Sequence, residues 1–360
     1  MAAYTTIDDP EAYFQTVLYT ANQTADTTIT LPGDTNMQPD LVWIKNRENS
    51  VKGHRLFDST RGVTKLLTSN NDGTETTATE TLTAFTSDGF TLGDDVDGST
   101  YYGVNWETGD GMVAWCWNTQ GGAGSSNTAG SINTTTTSVG TTQGFSISTY
   151  TGNATAGATI GHGLGAVPHL MIVKNTADSQ NWRVYHHKNT AAPETDNLEL
   201  NNTTATVDTD ERWNDTAPTS TLLTLGSTGS VNQDGDKHVA YVWTGIQGYS
   251  KFGSYTGNED TDGTFVYTGF RPALIIIKRT DVQDNWNMYD SKRGYNPENA
   301  YIKANATTAE ASDVDIDILS NGFKSRTADA AVNVDDGVYV YIAFAEAPFV
   351  NSEGVPCNAR

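Results

Sequence analysis

The sequence predicts an all-β protein made of three tandem β-sandwich domains of jelly-roll or lectin-like type, and three observations carry that prediction. One pattern of residues occurs three times, turn signals recur at roughly eight- to twelve-residue intervals, and no long stretch keeps apolar residues at helical spacing. The first copy opens with Tyr19-Thr-Ala-Asn22, continues through Pro39 to the strand Leu41-Val-Trp-Ile-Lys45, and closes with Val113-Ala-Trp-Cys-Trp117. The second reads Tyr150-Thr-Gly-Asn153, Pro168, His169-Leu-Met-Ile-Val-Lys174 and Val239-Ala-Tyr-Val-Trp243. The third reads Tyr255-Thr-Gly-Asn258, Pro272, Ala273-Leu-Ile-Ile-Ile-Lys278 and Val340-Tyr-Ile-Ala-Phe344. Proline precedes lysine by six residues in every copy, and a tryptophan follows the lysine by eight in the last two, at Trp182 and Trp286. Each unit of roughly 100 residues is too long for a solenoid repeat and large enough for its own core.

Asp-Gly pairs at 72, 88, 97, 110, 234, 262 and 336 and Asn321-Gly mark the turns between short strands. The strands Leu41 to Ile44, Leu170 to Val173 and Leu274 to Ile277 are apolar without alternation, so both of their faces are expected to meet protein. Phe145-Ser-Ile-Ser-Thr-Tyr150 and Val338 to Phe344 alternate, as half-buried strands do. The resulting division is an N-terminal assembly segment at 1–14, repeats at 15–118, 144–246 and 247–349, and a tail at 350–360. The Gly/Ser/Thr/Asn-rich stretch 119–143 reads as a linker, which makes the first domain a mobile module beside a rigid pair.

The formal charge of −22, from 43 acidic against 21 basic residues, excludes nucleic acid as the expected partner, because phosphate binding rests on Lys and Arg. No window is apolar for long enough to span a membrane, and the start lacks the regions of a signal peptide, so the chain is expected in a cytoplasm until assembly. Two cysteines, Cys116 and Cys357, offer neither a disulfide framework nor a thiolate cluster.

No acid pair stands out for glycan hydrolysis, since most acidic residues fall in turns where they cap their own backbone. His186 and His187 are adjacent on a strand and point to opposite faces, so they do not chelate one metal together. Asn258-Glu-Asp-Thr-Asp-Gly263 resembles the first half of a calcium loop, with Asn258, Asp260 and Asp262 as candidate ligands of a structural Ca²⁺, but Gly269 stands where the loop needs its last carboxylate. Otherwise no cofactor is expected. Aromatic rings beside polar groups supply the ligand-binding candidates Trp182, Tyr185, His186, Trp286, Tyr289 and Asp290. Flat rings of this kind suit sugar faces, although core or interdomain packing produces the same repetition and is the stronger reading.

The opening Thr5-Thr-Ile-Asp-Asp-Pro-Glu-Ala-Tyr-Phe-Gln-Thr16, Leu56-Phe-Asp-Ser-Thr-Arg-Gly62, Phe85-Thr-Ser-Asp-Gly-Phe-Thr-Leu-Gly93 and Ile342-Ala-Phe-Ala-Glu-Ala-Pro-Phe349 carry a family likeness across the whole chain. They resemble a family of virion proteins of marine bacteriophages, of cyanophage and pelagiphage type, often called tail-fibre-like. The second repeat departs from the other two, with Tyr185-His186-His187 where they read Phe57-Asp58-Ser59 and Tyr289-Asp290-Ser291, and Cys357 and Asn358 stand where that family more often shows Thr.

The resemblance implies a non-enzymatic virion structural protein, released by lysis, that touches other tail or capsid proteins. A tail-associated adhesin is the first expectation, forming a homo-oligomer with a trimer favoured and meeting a host-surface glycan. A capsid decoration or head-fibre protein is the alternative, and a polysaccharide depolymerase a third.

Overall fold

Three antiparallel sheets carry the three copies of the motif, and each is laid out in the same strand order. The computed structural model describes residues 4–97, 100–294, 300–314 and 316–357. In the first unit an opening strand Phe14–Thr20 pairs with the closing strand Gly111–Trp117, which pairs with the central strand Leu41–Asn46 and then the flanking strand Arg55–Asp58. The second unit repeats this order with Phe145–Thr151, Lys237–Trp243, Leu170–Asn175 and Arg183–His186. The third repeats it with Ser250–Thr256, Val338–Pro348, Phe270–Arg279 and Trp286–Asp290. Register agrees as well: Trp43 opposes Trp115, Ile172 opposes Tyr241, and Ile276 opposes Ile342. Among the described residues the α-helices are single turns of four residues.

Each main sheet is buried on both faces, which is why its central strand shows no apolar alternation. One face packs against a small second sheet of the same unit. In the first unit Val42, Ile44, Met112, Ala114 and Cys116 meet Ile29, Leu82, Phe90 and Leu92 there. In the second, Met171, Val173, Ala240 and Val242 meet Ile160, Leu223 and Leu225. The opposite face turns towards the other two units, and Leu41, Trp43, Trp115, Leu170, Ile172, Tyr241, Ile276 and Ile342 belong to one shared core. Trp117, Trp243 and Phe344, equivalent in register, form a triangle there with ring centroids 6.4, 5.5 and 6.4 Å apart. Beside them lies a void of about 20 Å³ whose lining is too poor in polar partners to hold water.

Two sets of hydrogen bonds close in a cycle around this core and define an approximate threefold arrangement. The indole of Trp182 in the second unit donates to the Thr68 carbonyl of the first (3.0 Å), and Trp286 in the third donates to Glu199 of the second (2.9 Å). His54 completes the ring. Its Nδ1 accepts from Trp43 (2.8 Å), so its Nε2 carries the proton and donates to Lys303 of the third unit (3.0 Å). In the other set, Tyr241 donates to Asp58 (2.7 Å), Trp115 donates to Asp290 (3.0 Å), and His186 Nε2 meets the Tyr341 carbonyl (3.1 Å).

The units therefore share a core rather than standing as separate domains, and the first is no mobile module. Within 119–143, residues Thr136–Gly140 form a strand on the edge of Phe145–Thr151, and Thr119 bonds Asp40 (2.7 Å), so this stretch is ordered structure rather than a free linker. The N-terminal segment also folds inward instead of standing free for assembly: Thr5 Oγ1 donates to Gln247 (2.7 Å), Ile7 is buried in the shared core, and Asp8 accepts from the Ser352 amide (2.7 Å). The tail is anchored through the Cys357 thiol at the Ser320 carbonyl (3.1 Å).

A shared core makes unfolding cooperative across units. Phe344→Ala is expected to destabilise the whole chain by roughly 3–5 kcal/mol, the range for deleting a buried phenyl ring. Denaturant titration followed separately by tryptophan fluorescence and by far-ultraviolet circular dichroism should give one coincident transition in both forms. Three resolved transitions would contradict a common core.

Candidate functional site

The six sequence candidates for ligand contact lie inside the protein. Trp182, Trp286, Tyr289 and Asp290 are 0–1% exposed, His186 is 1% and Tyr185 is 4%. Trp182 and Trp286 bridge units as described above, Tyr185 meets Trp213 edge-on at 6.3 Å, and Tyr289 packs on Tyr301 at 5.8 Å. Asp290 is paired with Arg293 (2.5 Å) while accepting from Trp115. Its counterpart Asp58 is paired with Arg61 (2.5 Å). Burial alone would raise the Asp58 carboxyl, but Arg61, Thr60 and Tyr241 outweigh it and hold the group below the usual carboxylate range. These rings and charges fasten the units together, so the expectation that they meet a sugar is corrected.

The calcium expectation meets a different obstacle. Asn258 Oδ1 accepts from the Asp260 amide (3.2 Å) and Asp260 Oδ1 from the Asp262 amide (2.9 Å), so both serve the turn. Asp262 is neutralised by Lys324 (2.7 Å) and Arg326 (2.6 Å). A turn whose Asp262 carboxylate is neutralised by two cations does not suit a divalent ion, and no cluster of three or more His, Cys, Asp or Glu gathers among the described residues.

The lysines that end the central strands are equally internal. Lys45, Lys174 and Lys278 are fully buried, and burial pushes each ammonium down to about 8. Each donates to loop carbonyls, Lys45 to Asn46 (2.6 Å), Lys174 to Asp72 of the first unit (3.1 Å) and Lys278 to Thr203 of the second (3.1 Å). They are struts.

An open cleft of about 710 Å³ lies between the second and third units. Its floor is the opening strand Ser250–Thr256, and one wall is the short strand Phe265–Tyr267, whose alternation leaves Phe265 and Tyr267 each 45% exposed. The other wall carries His169 and His187. Leu170 opposes His186 across the ladder, which places His169 opposite His187, and their rings stack at 4.1 Å. His169 Nδ1 accepts from the Gly245 amide and His187 Nε2 donates to the Phe252 carbonyl, both at 2.8 Å. Tyr4 closes one end, donating to Gly269 (2.9 Å). Lys188 and Lys251 line the cleft and no carboxylate does, an inversion of sign in a chain of charge −22.

Sequence reasoning missed this site because its histidines are eighteen residues apart. The signal was the equal spacing of the copies: aligning Leu170 with His186 brings 169 and 187 together. The adjacent pair His186 and His187 was the visible feature, yet only His187 reaches the cleft.

Burial holds all six imidazoles of the chain below their ordinary range, His186 at about 3 and His169 at about 4, the latter also lowered by His187 and Lys188. A family model described as Domain of unknown function (DUF7483) matches residues 9–348. No curated protein and no solved structure matches.

The histidines set a pH dependence. Below about pH 6.5 the unfolded chain takes up protons that the folded imidazoles refuse, so the unfolded state binds more protons and stability falls with pH. Each fully buried imidazole contributes up to about 1.4 kcal/mol per pH unit across that window. Urea midpoints measured from about pH 7.5 to about pH 5, above the carboxylate range, should decline steadily once below the histidine range, and a flat profile would contradict neutral rings at the four buried histidines, His54, His162, His186 and His238.

Proposed function

We propose, from the premise that the chain belongs to the DUF7483 family, that it is a non-enzymatic structural protein of a bacteriophage particle, carried on the tail and docked to its partner through the cleft between the second and third units. The cleft carries this reading. With a volume of about 710 Å³ it joins exposed aromatic rings to two lysines, and it lacks the carboxylates that glycan hydrolysis requires. The aromatic residues first expected to meet a host glycan are committed to packing, so contact with other virion proteins is favoured over sugar recognition. The resemblance to tail-fibre-like virion proteins along the whole chain supports the particle assignment. The ring of three units closes within one polypeptide, so the trimer expected of a homo-oligomer is not needed to complete the core.

A capsid decoration role is the second reading, and the approximate threefold arrangement favours it, because such a body fits a threefold position on a shell. Mass spectrometry of purified particles from the phage encoding this chain, followed by immunogold labelling, tests both. Label at the tail is expected. Label spread over the head would replace the first reading with the second, and absence of the chain from purified particles would overturn both.

A further inference from the structure

The three junctions between units are equivalent in position but not in filling. Between the first and second units the junction leaves about 220 Å³, between the third and first about 10 Å³, and between the second and third about 710 Å³. The difference lies at the free edge of each opening strand. In the second unit that edge is covered by Thr136–Gly140, which pairs with Phe145–Thr151 so that Ser138 opposes Ile147 and Thr136 opposes Thr149. In the first, Gly33 donates to Gln15 of the opening strand (2.7 Å), and Pro32 with Lys292 seals the gap. In the third unit the strand Ser250–Thr256 stands at the end of its sheet, and no strand covers it among the described residues.

Bonding in an antiparallel ladder alternates between the two edges. The Tyr249 carbonyl accepts from Ala345 and the Gly257 amide donates to Gly337, so odd-numbered residues bond inward to the closing strand. Phe252, Ser254 and Thr256 therefore direct their backbone groups outward, the first two into the cleft. They stand where Ile147, Thr149 and Thr151 stand in the second unit, since Phe145 opposes Trp243 as Ser250 opposes Phe344. Two of the outward carbonyls have side-chain caps, His187 Nε2 on Phe252 (2.8 Å) and Thr264 Oγ1 on Thr256 (2.9 Å). Lysine on an edge strand commonly guards against pairing, but the Lys251 ammonium is held at the Tyr267 carbonyl (2.6 Å) on the far wall.

We infer that this cleft accepts an extended segment of a second protein, which adds as an antiparallel strand beside Phe252 to Thr256 and takes the place that Thr136–Gly140 fills in the second unit. The inference rests on the docking role proposed above and specifies its partner. The internal precedent sets the chemistry: small hydroxyl and branched residues such as Thr136-Thr-Ser-Val-Gly140. Lys188 and Lys251, with no carboxylate beside them, call for acidic residues flanking that segment. Main-chain hydrogen bonds would supply affinity and the exposed Phe265 and Tyr267 rings would supply side-chain contact.

The probe is a fluorescein-labelled synthetic peptide carrying residues 134–141 of this chain with two aspartates added at each end, titrated with full-length protein by anisotropy. Saturable binding is expected from the wild type. Ser254→Pro deletes one outward N–H while the inward ladder stays intact, as proline is tolerated on edge strands. It should weaken binding at least about tenfold, whereas Ser254→Ala, which keeps the N–H, should bind as the wild type does. In case the proline variant melts early, the same peptide N-methylated at alternate amides reads the effect on unaltered protein and should also lose binding. No saturable binding by the wild type, or undiminished binding of both N-methylated registers, overturns the inference. Peptide failure in a protein that particle labelling places in the virion would sink strand addition alone, since the particle assignment is read independently.

Discussion

Burial of every main sheet on both faces is the constraint from which the rest of the molecule follows. A four-stranded sheet with one wet face could have stood in a domain of its own. Here the inner face carries Trp43, Trp115, Tyr241, Trp243 and Phe344, an area of aromatic surface that water would not tolerate uncovered. The three inner faces therefore have to meet. Once they do, each indole, phenol or imidazole at the seam is cut off from water and needs a partner in the neighbouring unit, and the two cycles of hydrogen bonds supply most of these. The Trp117 and Trp243 indoles are the exceptions, with no partner for their N–H groups among the described residues. Their rings form the aromatic triangle, where packing offsets a desolvation cost of about 1–3 kcal/mol each.

The departure of the second unit from the other two has a physical account in this frame. Asp58 and Asp290 occupy equivalent positions, and each accepts a hydrogen bond from a closing-strand ring of a neighbouring unit and a guanidinium from its own loop. The closing strand of the third unit carries Ile342 where the others carry Trp115 and Tyr241. An aspartate facing Ile342 would be a buried charge with no ring donor across the seam and, with Asn189 where Arg61 and Arg293 stand, no guanidinium, at a cost of several kcal/mol. His186 fits instead: its Nδ1 accepts from the Lys188 amide (3.2 Å), leaving Nε2 protonated to satisfy the Tyr341 carbonyl. What reads in sequence as a diverged binding loop is the complement of one apolar substitution across a seam.

The all-β class, the strand boundaries and the threefold copying were legible because they rest on local pattern: Pro39, Pro168 and Pro272 in step with Lys45, Lys174 and Lys278, and runs such as Leu274 to Ile277 without alternation. That lack of alternation also held the information that the units share a core, but period alone does not say which protein surface covers the second face. Composition misled at 119–143, since threonine and serine serve an edge strand as readily as a linker, and the hydroxyls of Thr136 and Thr137 pair there with those of Thr149 and Ser148. His54 was invisible as a stand-in for Trp182 and Trp286 because its role depends on the tautomer that Trp43 imposes. The cleft was invisible for a related reason, being made by what is missing from one junction and present at the other two.

That asymmetry is the last step. Three equivalent edges with equivalent sheets behind them would, by symmetry, be equally prone to accept a strand, and exposed edges are a hazard that proteins suppress. Two of the three are suppressed here by elements of the chain itself, one by a whole strand and one by a loop with a glutamine clasp. The third is lined by exposed Phe265 and Tyr267, with a paired imidazole wall in place of a covering strand. An edge guarded against pairing is expected to carry inward charges or a proline; this one carries Gly253 and Ser254, with the Lys251 ammonium held at the far wall, beside a space wide enough for another strand. Small side chains at that point do not strengthen the sheet, since glycine weakens a strand interior. Gly253 makes room for the Tyr341 ring of the closing strand, which occupies the space its Cβ would need, and Ser254 beside it adds little bulk, so the outward backbone of this strand stays open to a second one.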